Sequence, residues 1–234
     1  MRRWLLPLAA LALGFAGPSL AGDELAESLA AAAPAANSEV ISLALRAARC
    51  AREQGRLDSY DRLAVIDYSL PSTEPRLWVF DLQHARLLYE ELVAHGRNTG
   101  EHFARRFSNV EGSKMSSLGL FRATETYFGS NGYSLRLQGL DLGFNDKAME
   151  RAIVMHGAPY VSEAVAERLG RLGRSWGCPA VRKEMAQTII DTLKGGALIF
   201  SYYPDRKWLS ESALLNCGAS RVVSTRQPAT DPGG

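Results

Sequence analysis

Gly129-Ser130-Asn131-Gly132 separates two runs, 117–128 and 133–140, that alternate apolar and polar residues and carry several aromatics. An Asn-Gly pair between such runs is the strongest short-range hairpin signal, because a tight primed turn needs positive φ at its central residues. It commits the middle of the chain to antiparallel β structure. Five further short runs have strand texture: 63–70 (LAVIDYSL), 76–82 (RLWVFDL), 86–94 (RLLYEELVA), 152–155 (AIVM) and 197–203 (ALIFSYY). Pro71 and Pro75 divide the first two, and Gln83-His84 marks a turn before the third. Asn37 or Ser38 caps a helix over 38–54, with Val40, Leu43, Ala44, Ala47 and Ala51 on one face and Gly55 as its stop. Ser162 opens a second helix to about Leu172, and 183–193 reads as a third, ended by Gly195-Gly196. The expected class is mostly β, one domain over 38–218 with inserted helices and an N-terminal helix.

The ends read differently. Arg2 and Arg3, the apolar run Leu5–Ala16, and small residues Ser19 and Ala21 predict a signal peptide over 1–21, too short to span a bilayer. Residues 22–37 are Ala-rich and predict a flexible leader, and 219–234 predicts a flexible polar tail. The whole chain carries 27 Lys+Arg and 25 Asp+Glu; removing 1–21 takes two arginines and leaves the signs equal. Such a balance lacks the clustered basic excess that nucleic-acid binding requires. The expected setting is outside the cytoplasm, in the periplasm or cell envelope, with no stable membrane span.

Three cysteines, Cys50, Cys178 and Cys217, are an odd number for an exported chain. Cys50 and Cys217 either pair or lie as two buried thiols. Cys178 sits in Ser175-Trp176-Gly177-Cys178-Pro179-Ala180, where Gly177 permits a sharp turn and Pro179 removes a donor. A thiol presented on such a turn is expected to have a lowered pKa. His156 ends an apolar strand and is followed by Gly157. Folded over Cys178, it would supply the base for acyl transfer through sulfur. Zinc-ligand spacings are absent, G-x-S-x-G is absent, and Asp141, Asn145 and Asp146 lack a calcium-loop pattern and read as a turn.

His156-Gly157 followed by Ser175-x-Gly177-Cys178 resembles the active-site signature of the YkuD-type L,D-transpeptidases, a His-Gly and then Ser/Thr-His-Gly-Cys. Closer still is the murein L,D-transpeptidase catalytic branch, through Phe107-Ser108-Asn109, Ser116-Ser117-Leu118-Gly119, Gly132-Tyr133-Ser134-Leu135, Gly139-Leu140, Asn145-Asp146 and Trp176-Gly177-Cys178-Pro179-Ala180. The resemblance implies a mixed β-sandwich or barrel of that type. It makes Cys178 the nucleophile and His156 its base, with the imidazole oriented by the Gly157 carbonyl or by Ser175. The N–H groups of Gly177 and Cys178 become oxyanion donors, and Ser117-Leu118-Gly119 becomes a cleft-lining strand. Two departures stand out: Trp176 replaces the motif's His as an aromatic wall, and Ala180 replaces its Arg or Asn, with Arg182 two residues on.

The implied function is an exported cysteine acyl transferase on peptidoglycan stem peptides, releasing D-Ala and forming a cross-link through a thioester. Hydrolysis at the same site would make it an L,D-carboxypeptidase; a degenerate site would leave a non-catalytic wall-binding domain. No cofactor or metal is implied. The implied partners are stem peptides, as donor and amine acceptor, and a wall-anchored protein.

Overall fold

A computed structural model describes residues 18–217. All but the last four residues of the expected signal peptide, and all of the 219–234 tail, lie outside that range. Two helices, α1 (Pro18–Ala32) and α2 (Ser38–Glu53), precede strands β1 (Arg62–Asp67), β2 (Leu77–Asp81), β3 (Arg86–Glu91), β4 (Val93–Ala94), β5 (Gly119–Gly129) and β6 (Gly132–Gly139). Then come β7 (Val154–Ala158), α3 (Glu163–Leu169), β8 (Ala180–Arg182), α4 (Lys183–Leu193), β9 (Leu198–Tyr202) and α5 (Arg206–Glu211). The nine strands form one mixed sheet in the order β3-β2-β1-β9-β5-β6-β7-β8-β4. The hairpin closes as the Asn-Gly turn requires, with Gly129 opposite Gly132.

The sheet nearly closes into a barrel for a covalent reason. Its two edge strands, β3 and β4, are separated only by Leu92, so the edges must meet. Arg76 stitches the seam. Its backbone N–H donates to Glu91 O at 3.0 Å, its Nε and Nη2 to Val93 O at 3.0 and 2.8 Å, and its Nη1 to Leu70 O at 2.9 Å. Bringing the two edges together leaves less open strand edge, which would otherwise invite aggregation. Both faces of the sheet are buried: Leu63 and Val65 of β1 join the cluster containing α2, while Ala64 and Ile66 join the one containing Ile189, Ile190 and Leu193 of α4. Helix α4 touches β1, β6, β7 and β8, so the curved sheet wraps around it.

Residues 22–37 are not the flexible leader that their composition predicts. Most of them form α1, with Leu29 and Ala33 buried and packed in the cluster of α2. The alanine that lowers sequence complexity is also the strongest helix former, and α2 offers an apolar partner that makes the helix stable. Helix α2 forms as expected, with Asn37 accepting from the Glu39 N–H and Gly55 at φ 69° just past its end. Cys50 of α2 is disulfide-bonded to Cys217, with Cα atoms 6.1 Å apart, tying α2 to the end of the described chain.

Helix α5 was not evident in the sequence. It carries the buried Trp208, whose Nε1–H donates to Asp141 Oδ2 at 2.8 Å; Ser212 Oγ donates to the same carboxylate. Asp141 and Asn145 do form the expected turn, since the Asp141 N–H donates to Asn145 Oδ1 at 2.8 Å. Among the described residues no helix is long and apolar enough to cross a membrane.

Candidate active site

Strand pairing brings the two motifs together. β7 carries His156 and runs parallel to β8, with His156 opposite Ala180, so Cys178 lies two residues before the paired position. The loop holding Cys178 is braced from within. Ser175 Oγ donates to Cys178 O at 2.6 Å and accepts from the Gly177 N–H at 3.1 Å. It is also pinned from outside: the Ser175 N–H donates to His95 O, the Arg97 N–H to Ser175 O, and Ser116 Oγ to Gly177 O. Gly177 has φ 127°, and a Cβ there would lie 2.7 Å from Met115 O. Only glycine fits that turn.

His156 is 3% exposed, and its Nδ1 lies 3.0 Å from Gly157 O. A carbonyl cannot donate, so Nδ1 carries the proton and Nε2 keeps its lone pair. That is the tautomer a general base needs. Burial holds the imidazole below its usual range, partly offset by the Gly157 carbonyl. Gly157 has a second role: a Cβ there would meet Ala186 Cβ at 2.8 Å and Lys183 Cα at 3.1 Å. Its missing side chain lets the start of α4 lie directly on β7.

Cys178 is a free, half-buried thiol. It donates to Ala152 O at 3.8 Å rather than to His156, and Ala152 adopts φ 52°, which is uncommon for a residue with a Cβ. The lowered thiol pKa expected from the turn is not found. Burial pushes the thiol up, against the smaller opposing effects of the Val154 N–H, Arg151 and its own N–H. The cause is topological: Cys178 leads into β8, and helix α4 starts five residues later, too far for its N-terminus to stabilise a thiolate. The resting pair is therefore neutral thiol and neutral imidazole. Iodoacetamide alkylation of Cys178 should rise with pH on a limb above the ordinary thiol value of 9.0, while substrate acylation should already plateau near or below the ordinary imidazole value of 6.5. A single alkylation limb below neutrality would mean a preformed ion pair.

The description "L,D-transpeptidase catalytic domain" belongs to the family model that matches residues 32–202, most of the chain. The chain belongs to that family. Among solved structures it is similar to an L,D-transpeptidase from Mycobacterium smegmatis at 14% identity, covering 61% of this chain and 59% of that one, with a TM-score of 0.38. It is similar to L,D-transpeptidase 3 from Mycobacterium tuberculosis at 11% identity, covering 61% of each chain, with a TM-score of 0.39. An L,D-transpeptidase from Stackebrandtia nassauensis shares 12% identity over 86% of this chain and 99% of that one, with a TM-score of 0.37. The chain thus spans about three-fifths of the length of the first two structures. No curated protein matches.

Against the family's motif, several expected residues take different places. Ser175 makes no hydrogen bond to the imidazole; its hydroxyl is spent inside the Cys178 loop, and among the described residues the imidazole is bonded to the Gly157 carbonyl alone. The Gly177 N–H donates to Ser175 Oγ at 3.1 Å, whereas the resemblance makes it an oxyanion donor. Gly119 (φ 105°) packs against Asp141 and Asn145, where a Cβ would fall 2.7 Å from Asp141 Oδ2, so its role in the structure is close packing. Trp176 is 73% exposed, with Lys114 Nζ 4.9 Å from its ring centroid. Arg182 is committed to Glu91 through both Nε and Nη2, and does not stand in for the missing Arg or Asn.

Arg151 escaped the sequence reading. Its guanidinium donates to Ser108 O and Met115 O, each at 2.7 Å, holding the wall beside the thiol, and its charge favours a Cys178 thiolate. No spacing marks it, because it lies in a turn ahead of β7 and gains its meaning only from the fold.

Proposed function

We propose that this chain is a cysteine acyl transferase acting on peptidoglycan stem peptides outside the cytoplasm, with Cys178 as nucleophile and His156 as general base. The observation that carries it is the Nδ1–H bond from His156 to Gly157 O, which leaves a basic Nε2 on the strand beside Cys178. Sγ attacks the carbonyl carbon of the amide between a diamino acid and D-Ala as His156 takes the thiol proton. The tetrahedral oxyanion faces the Cys178 N–H, which makes no hydrogen bond to another of the described residues, with Arg151 as the nearby positive charge. The C–N bond then breaks, His156 returns its proton to the leaving nitrogen, and D-Ala departs from a thioester. An amine from a second stem attacks, His156 accepts its proton, and the thiol is restored. The Cys50–Cys217 bond supports an oxidising compartment, in keeping with 1–21 as a signal peptide.

The test is mass-spectrometric analysis of disaccharide-tetrapeptides incubated with the mature protein. Dimers formed with loss of D-Ala are the expected product. Tripeptide alone would make it an L,D-carboxypeptidase, and unchanged tetrapeptide a wall-binding domain.

A further inference from the structure

An open cavity of about 440 Å³ lies beside His156, lined also by Gly157, Tyr160, Tyr133, Gln187 and Lys183. Tyr160, which lines it, is pushed up to about 12, first by burial and then by the charge of a Cys178 thiolate. His156 is almost wholly buried and lines this cavity, and its Nε2 has no hydrogen-bond partner among the described residues. Lys183 is exposed and forms no ion pair among the described residues, whereas Arg182 is tied to Glu91 and Arg151 to main-chain carbonyls and serines. The absent side chain of Gly157 seats Lys183 against the His-Gly pair. Lys183 also opens α4, whose N-cap residue Arg182 makes no side-chain capping bond.

We propose that Lys183 anchors the carboxylate of an α-amino acid whose nitrogen sits at His156. The inference rests on the acyl-transfer reading above. In acylation the amide nitrogen leaves and takes its proton from His156; in deacylation an amine arrives and gives its proton to His156. Microscopic reversibility puts both nitrogens in one place. D-Ala carries a carboxylate on the carbon next to that nitrogen, and so does an amine at the α-position of an amino acid. One cation beyond the base therefore serves both steps, and it selects α-amino carboxylates over simple amines. Lys183 thereby supplies the charge that Ala180 lacks.

The test incubates a tetrapeptide donor with equimolar isotope-labelled D-alanine and D-alanine amide, using wild type, Lys183→Met and Lys183→Arg, and reads the ratio of the two products, in which the shared acylation step cancels. Lys183→Met should lower that ratio about tenfold, the size of one charge-assisted contact. Lys183→Arg should recover most of the loss. Unchanged iodoacetamide labelling of Cys178 confirms that the variants are folded. An unchanged ratio in Lys183→Met would overturn the anchor while leaving the acyl-transfer reading intact. Absence of any thioester on wild type with the donor would instead overturn that reading, and the anchor with it.

Discussion

Cys178→Ala should abolish turnover of a tetrapeptide donor while the thermal midpoint stays within a few degrees of wild type. The site explains both halves. Cys178 is half-buried and its thiol makes one long contact to Ala152 O, so losing sulfur removes little packing. The loop around it is held by Ser175 and by the glycine turn at Gly177, none of which involves Sγ. Chemically, Cys178 is the free thiol among the described residues, and Ser175 Oγ, the neighbouring hydroxyl that could form an ester instead, is bonded on both sides. His156→Gln should be milder, lowering kcat about 10²- to 10⁴-fold, the usual contribution of a positioned general base. Residual turnover of Cys178→Ala near the wild-type rate would end the mechanism.

Arg76→Met should cost about 3–5 kcal/mol, because it strips a buried charge from a network built around it. The side chain is fully buried, burial lowers its own pKa to about 10, and its donors satisfy Val93 O, Leu70 O and His95 Nδ1 across the barrel seam. Methionine fills a similar volume yet leaves those acceptors and the nearby Asp67 carboxylate uncompensated. For a chain of this size the thermal midpoint should fall on the order of 10 °C, measured with the disulfide intact. A shift under about 2 °C would mean that the seam is held by Leu92 and the strand ladder alone.

The sequence made legible whatever depends on local chemistry. The Asn131-Gly132 turn, the Asn37 cap, the Ser162 cap and the long apolar runs each announce themselves through short-range geometry, and each appears where expected. What failed depends on distant partners. β8 has three residues, too few for any period, and exists because β7 and β4 offer edges on either side. α1 resembles low-complexity linker until α2 covers its apolar side. In the site, His156, Gly157 and Cys178 were visible as a motif, and the orienting carbonyl is one of the two partners considered. The hydroxyl of Ser175, the other candidate, closes inward on its own loop. Arg151 and Lys183 went unnoticed because exposed or turn-borne cations carry no spacing signal; the barrel alone sets them beside the thiol and the base.

Every step of the proposed reaction requires Cys178 to accept an acyl group. Intact-mass measurement after brief exposure to a carbapenem, with Cys178→Ala in parallel, addresses it most directly, because the acyl bond itself is weighed. One adduct on the wild type and none on the variant is the expected result. An unmodified wild type, or the same adduct on both proteins, would contradict it.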